Sequence, residues 1–301
     1  MTKIIQCVPN FSEGRCNKTI KALIEVAESS PRATLVNHSS DTSHNRTVIT
    51  LIGDTKGIKN AAINLAKAAI EHIDLTKHSG EHPRMGAVDV IPFVPLKNVT
   101  MEECVQLSKE TGKTIAEELD IPVYLYEESA TACVRRNLAD IRRGQFEGLA
   151  KKIQSPGWQP DYGPQAPHPT AGAVAVGARK PLIAFNANLS TSDIKIAENI
   201  AKRVRGSSGG LKYCKAIGIM LTDQGVAQVS MNLVDYNCTS IYSALELIKT
   251  EAKFYGVHVI ETELIGLAPA KALIDCAKYY LQLRDFDYHQ HVLENHIWGC
   301  D

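Results

Sequence analysis

One order of secondary-structure elements is written twice along this chain. In the first half, Ile4-Ile5-Gln6-Cys7-Val8 reads as a short apolar strand. Residues 17–28 follow, with Ile20, Leu23, Ile24 and Ala27 on one helical stripe. Residues 34–37 and 47–52 flank a polar turn as the arms of a hairpin. Residues 58–70 form an Ala-rich second helix, residues 101–119 a third, and residues 122–126 the closing strand. The second half repeats the order. Residues 182–186 open it, 194–204 are its first helix, and 216–220 and 227–233 pair around Thr222-Asp223-Gln224-Gly225. Residues 241–255 are the second helix and 257–261 the closing strand. Asn10-Phe11-Ser12 corresponds in position to Asn188-Leu189-Ser190, and Asp54 to Asp235. Strand–helix–strand–strand–helix–strand is the split βαβ order. The predicted class is α+β: two ferredoxin-like (βαββαβ) subdomains in tandem, 1–178 and 179–301. Helices should cover one face of each sheet, with an interdomain cleft between the units.

The length of 301 residues suits two domains, and 44% hydrophobic with 22% charged residues is ordinary for a chain that buries a real core. Lys+Arg and Asp+Glu both number 33, so net charge signals neither nucleic acid nor a membrane surface as partner. The N-terminus carries only a short apolar run, unlike a secretory signal or a membrane span. Eight dispersed cysteines with no CxxC pair read as reduced thiols in a cytoplasmic protein. Residues 155–172 hold five prolines and three glycines, which exclude regular structure. A plain linker and a functional loop both fit that composition, and Trp158, Tyr162 and His168 argue for packing against something.

Chemistry concentrates in His78-Ser79-Gly80-Glu81-His82-Pro83-Arg84-Met85-Gly86-Ala87-Val88-Asp89, directly before the apolar run Val90-Ile91-Pro92-Phe93-Val94. A polar, Gly-punctuated loop feeding a buried strand is where α/β proteins place function. Pro83 keeps His82 out of helical geometry. His82 is suited to give and take protons near neutral pH, and Glu81 would raise its basicity. A solvated turn with two surface histidines fits the spacing equally well. His78 and His82 would share a metal only on a helix, which Gly80 and Pro83 disfavour, and no third ligand is near; no metal is expected. Neither a Ser nor a Cys nucleophile has its motif. Asn10-Phe11-Ser12-Glu13-Gly14-Arg15 ends the first strand, where Asn10 and Ser12 could meet a substrate; alternatively Ser12 or Asn17 caps the next helix. Asp41 and Arg46 sit in the first hairpin turn. Arg46 could hold a carboxylate bidentately, although a solvated turn arginine is the default.

The sequence resembles the formiminotransferase family, the glutamate formimidoyltransferases of folate metabolism. The resemblance is carried by Val8-Pro9-Asn10-Phe11-Ser12-Glu13-Gly14-Arg15, Asn45-Arg46-Thr47-Val48 and Gly80-Glu81-His82-Pro83-Arg84-Met85-Gly86-Ala87-Val88-Asp89-Val90. Ala178-Arg179-Lys180-Pro181-Leu182-Ile183-Ala184-Phe185-Asn186, Ala227-Gln228-Val229-Ser230 and Gly266-Leu267-Ala268-Pro269 extend it over nearly the whole chain. It implies transfer of a formimino group from N-formimino-L-glutamate to N5 of tetrahydrofolate, in histidine degradation. Formyl transfer between 5-formyltetrahydrofolate and glutamate is the close alternative, and a non-catalytic folate-binding protein the distant one. It further implies His82 as catalytic acid/base and folate contacts along Gly163, Pro164, Gln165, Ala166, Pro167, His168, Pro169, Thr170, Ala171 and Gly172. The second activity of the vertebrate relatives, a cyclodeaminase, is not expected here, and a homodimer is. Both substrates are anionic, so Arg46, Arg84 and Arg179 are candidate clamps. Asn10, Ser12, Asp41 and Glu81 complete the expected substrate contacts. A tetrahydrofolate polyglutamate tail would favour a basic rim, for which Lys180, Lys202 and Arg205 are candidates.

Overall fold

The computed structural model describes residues 2–80, 82–222 and 224–297, and the chain divides into two compact units, Met1–Arg179 and Lys180–Asp301. The second unit is the simpler. Its elements run β8 (Ile183–Leu189), α6 (Ile194–Val204), β9 (Cys214–Leu221), β10 (Val226–Leu233), α7 (Ile241–Phe254) and β11 (Val259–Ile265), with α8 (Ala270–Tyr280) appended. The strand order β11-β8-β10-β9 is antiparallel throughout and is that of a ferredoxin-like sheet. Helix α6 forms because Ala197, Ile200, Ala201 and Val204 recur at helical spacing and bury as one stripe. They meet Ile183, Ala187, Val229 and Leu233 in the unit's core. The duplicated aspartates are not equivalent in role. Asp54 caps the second helix of the first unit through Gly57 N–H, whereas Ser240 caps α7.

The first unit holds the same order in β1 (Ile4–Cys7) and β2 (Asn10–Phe11), α1 (Asn17–Glu28), β3 (Ala33–Asp41), β4 (Arg46–Gly53), α2 (Thr55–His72) and β5 (Val88–Lys97). Strands β1 and β2 are two pieces of one edge-to-edge line, each pairing with both β4 and β5. The closing strand of the repeat is therefore β5, not the strand predicted at 122–126. That later strand, β6 (Val123–Glu127), follows α3 (Met101–Leu119) in an extension of the sheet. A further strand that the sequence reading did not resolve, β7 (Val174–Ala178), lies parallel to and between β5 and β6. From Val88 through Val94 every residue of β5 is buried, as a strand covered on both faces requires.

The expectation of one bare sheet face also needs correction in this unit. Helices α2 and α3 cover one side through Ile58, Leu65, Ile115 and their neighbours. A second core of Met85, Val90, Tyr124, Tyr126, Ile141, Leu149 and Ile153 lies beneath α4 (Leu138–Arg142) and α5 (Gln145–Ile153), with Trp158 packed against it. Residues 155–172 belong wholly to the first unit and feed β7, so of the two readings the plain linker between units does not hold.

Candidate functional site

The segment carrying His82 leaves a short 3₁₀ turn, Leu75–Lys77, and runs to the start of β5. Asn45, in the β3–β4 turn, fixes its beginning. Its side chain accepts from Gly14 N–H (2.8 Å) and donates to Ser79 O (2.9 Å), while its own carbonyl is 3.1 Å from His78 Nε2. The site needs Asn45 at φ +49°, a conformation that asparagine tolerates better than most residues.

His78 is locked by its neighbours. Arg84 Nε–H donates to His78 Nδ1 at 3.0 Å, and a guanidinium cannot accept, so the ring proton lies on Nε2 and is given to Asn45 O. Both nitrogens are used, and His78 cannot join His82 in ligating an ion. Among the described residues no group of three or more His, Cys, Asp or Glu is placed to hold a metal.

Arg84 is 5% exposed and fully committed within the protein. Besides His78 it serves Glu147 in a two-pronged pair (2.7 and 2.9 Å), Gln145 Oε1 (3.0 Å) and His78 O (3.3 Å). The expected carboxylate clamp is instead a tie between this loop and the start of α5. Ser12 is likewise engaged, its hydroxyl donating to Gly86 O at 2.7 Å, and it caps no helix. Cys16 precedes α1 without a side-chain cap bond, and Glu13 Oε1 accepts from Cys16 N–H instead. Asn10 is half-buried and donates to Val8 O.

His82 itself is half-buried beside Arg46. One nitrogen, Arg46 Nη1, is 3.3 Å from both His82 Nδ1 and Nε2. An approach along one lone pair would leave the other nitrogen farther off, so the guanidinium lies over the ring. Burial first, then the charges of Arg46 and Arg142, hold the imidazole's pKa down at about 2. The ring is neutral across the physiological range, contrary to the expectation of a group poised near neutrality. Glu81 lies outside the described residues. The His44 ring stands edge-on to His82, centroids 6.3 Å apart, and is held by Asp41: Nδ1 to Oδ2 2.9 Å, backbone N–H to Oδ1 2.8 Å. Asp41 is thus a partner of His44; burial raises its pKa, and the His44 and Ser43 contacts together lower it further than that.

The site also contains groups that the sequence reading missed. Arg142, the last residue of α4, gives Nε and Nη2 to Asp89 Oδ2 (2.7 and 2.5 Å), and Asp89 Oδ1 accepts from Met85 N–H (2.7 Å). A signal was present in the four arginines at 135, 136, 142 and 143. The Arg179 side chain hydrogen-bonds Tyr126, which also feels the charge of Arg142. The backbone N–H of Arg179 bonds Phe93 O, whereas the loop's Gly86 bridges Gly172 seven residues earlier on both strands. Its backbone thus lies roughly 20 Å along the strand from Gly86. Lys180 pairs with Asp235, and Arg205 bonds Ser208, both in the second unit.

Residues 163–172 reach the same loop at one end. His168 and Gly172 exchange backbone hydrogen bonds (2.8 and 3.0 Å), and His168 Nδ1 accepts from Ala171 N–H. Thr170 O accepts from Leu75 N–H and Ala171 O from Ala87 N–H, seating this turn beside the His82 segment. Gly163, Gln165, Ala166 and Pro169 are exposed; Pro164, Pro167, His168 and Thr170 are half-buried. Gly172 has φ +69°, and a Cβ there would lie 2.0 Å from Met85 O.

Comparison with known proteins gives the family of the chain. Residues 4–179 match the formiminotransferase domain, N-terminal subdomain, and residues 184–295 the formiminotransferase domain. A glutamate formimidoyltransferase of Streptococcus pyogenes serotype M1 is 58% identical over 99% of this chain and 100% of its own length. One from Thermoplasma acidophilum is 46% identical over 94% of both chains. The formimidoyltransferase-cyclodeaminase of Sus scrofa is 42% identical over 94% of this chain, which spans 53% of that protein. With both subdomain models matched in order and a full-length relative well above half identical, the chain belongs to the formiminotransferase family.

Proposed function

We propose that this enzyme transfers the formimino group of N-formimino-L-glutamate to N5 of tetrahydrofolate, releasing L-glutamate. The full-length similarity to glutamate formimidoyltransferases carries the reading. The chemistry of the first unit is compatible with it. The nucleophile is the folate nitrogen, so no enzyme nucleophile is required. A C–N5 bond forms and the bond from that carbon to the glutamate nitrogen breaks; one proton leaves N5 and one reaches the departing nitrogen. A neutral imidazole accepts the first proton and, once charged, returns one to the leaving group. His82 is such an imidazole, and this role is typically worth ~10²–10⁴-fold in rate. Holding both substrates in line supplies much of the remainder.

The turn at 163–172 is our proposed folate contact, supported by its seating beside the His82 segment and by its exposed polar and small residues. The catalytic histidine and this segment both fall to the first unit. We further propose that the reaction proceeds without metal, motivated by the full commitment of both His78 nitrogens. We place the enzyme in the cytoplasm as a homodimer on family resemblance. Among the described residues no helix is long and apolar enough to cross a membrane.

The test is a transfer assay with purified protein, offering N-formimino-L-glutamate to tetrahydrofolate and, in parallel, glutamate to 5-formyltetrahydrofolate. Formimino transfer is expected to dominate. Formyl transfer alone, or binding of folate with no turnover of either pair, would overturn the proposal. Activity lost to a chelator and restored by Zn²⁺ would overturn its metal-free part.

A further inference from the structure

We propose that Arg46 and Arg142 together form the receptor for the α-carboxylate of the donor, so that this pair selects an α-amino acid carrying the formimino group; the inference rests on the transfer reading above. Arg46 touches His82 yet has no ion-pair partner among the described residues, and its Nε is buried without a hydrogen-bond acceptor. Arg142 spends Nε and Nη2 on a single oxygen of Asp89, whose other oxygen is taken by the backbone of Met85. Its Nη1 has no partner among the described residues. Each guanidinium lies within the field of the other, and both charges are felt at His82. Asp41 and Asp89 both act on Arg46, but Asp41 is spent on His44 and Asp89 on Arg142 and Met85, so among the described residues no carboxylate hydrogen-bonds the Arg46 guanidinium beside the neutral imidazole. Such an arrangement is costly unless an anion completes it, and paired guanidiniums present the planar donors that a carboxylate accepts.

The choice of carboxylate follows from distance. In the donor, the α-carboxylate and the reacting nitrogen share one carbon, which sets its oxygens about 3 Å from that nitrogen by standard bond lengths. His82 must reach the nitrogen, and Arg46 is already against His82. The γ-carboxylate sits at the end of a flexible side chain. The carboxylates of folate lie beyond its benzoyl ring from N5. Only the α-carboxylate is tied to the place where the Arg46 guanidinium stands without a carboxylate. Its arrival would also offset the charge of the two arginines, which is the smaller cause of the lowered His82 pKa after burial.

The experiment compares three donors: N-formimino-L-glutamate, its α-carboxamide and its γ-carboxamide. For the unaltered enzyme, kcat/KM with the α-carboxamide is expected to fall at least ~100-fold, the loss of two charge-assisted bonds, with kcat falling as well as KM rising. In Arg46→Gln and Arg142→Gln that discrimination is expected to shrink to a few-fold. Discrimination against the γ-carboxamide and the KM for tetrahydrofolate should stay as they were. Arg142→Gln leaves Asp89 buried without its partner and can fail to fold, so the double change Arg142→Gln with Asp89→Asn removes the pair as a unit. Donor binding followed by calorimetry reads the same ratio without turnover. A protein that binds the acid but never transfers its group would overturn the reaction reading alone. An unaltered enzyme indifferent to the α-carboxamide, or variants that keep the full discrimination, would overturn the receptor.

Discussion

His82 carries no charge while two arginines stand near it, and this decides what the residue can do. An imidazolium there would add a third cation to a desolvated corner, so the resting ring is neutral. Replacing it with alanine is expected to lower kcat at least ~100-fold with little change in folding, because its ring bonds nothing but Arg46 among the described residues. Near-normal turnover would remove it from the mechanism. Its depressed pKa also has a consequence for stability. In the unfolded chain the ring titrates near 6.5, and in the folded protein near 2. Between those values the unfolded state binds the extra proton, so stability falls as pH drops below about 6.5. His82→Gln cannot take up that proton. Thermal melting from pH 7 to pH 4 should therefore fall less steeply for the variant than for the parent, and parallel slopes would show that the ring is not held neutral. His78 differs: with both nitrogens committed, its truncation is expected to loosen the loop rather than abolish chemistry.

Among the elements, those that bury one face were legible in the sequence, and those that complete the site were not. The hairpins and α6 followed from two- and 3.6-residue periodicity, which tertiary packing had no reason to override. Strand β7 was missed because Val174-Ala175-Val176-Gly177-Ala178 is short, rich in small residues and preceded by prolines; only its central slot between β5 and β6 makes it a strand. Its misreading also assigned the repeat's closing strand to β6. Of the candidate residues, the sequence pointed to Arg46 and His82 through their motifs, yet gave no means of telling Arg46, without an ion-pair partner among the described residues, from Arg84, which is saturated. That difference lies in α5, which supplies Glu147 and Gln145 from about 60 residues away. Arg84→Met should destabilise the protein by on the order of 2 kcal/mol, since charged hydrogen bonds are lost. Arg84, through its hydrogen bonds, holds Glu147 at about 2. A carboxyl with a lowered folded pKa stabilises above its unfolded value and loses that contribution as pH falls from about 4.5 toward 2. The Arg84→Met variant should lack this acid-side decline. Gly172→Ala should cost about 1–2 kcal/mol for the left-handed backbone alone, before its contact with Met85 O is counted. A lowered melting temperature is the expected readout. A variant of unchanged stability that binds tetrahydrofolate more weakly would instead assign the glycine to ligand contact.

At the scale of the whole molecule, duplication has produced two units with unequal duties. The second keeps the plain four-stranded plan, while the first has gained α3, β6, β7, α4 and α5. That gain covers a second sheet face, and the cover delivers Arg142 and Glu147 to the loop that the repeat already placed before β5. Each unit owns its core: one is built from Ile183, Leu189, Ile200 and Val229, the other from Leu51, Leu65, Phe93 and Ile115. A domain with its own core can fold alone. Residues 1–179, expressed by themselves, are therefore expected to melt cooperatively. Because His82, Arg46 and Arg142 all belong to that unit, the fragment should also bind N-formimino-L-glutamate in calorimetry and prefer it to the α-carboxamide. A fragment that melts without cooperativity would show that the first core depends on the second unit. One that folds but binds no donor would place part of the donor's recognition on the second unit, and would direct the search to Asn186, Asn188 and Gln228, whose amides bond Glu261 and Glu263 on its sheet.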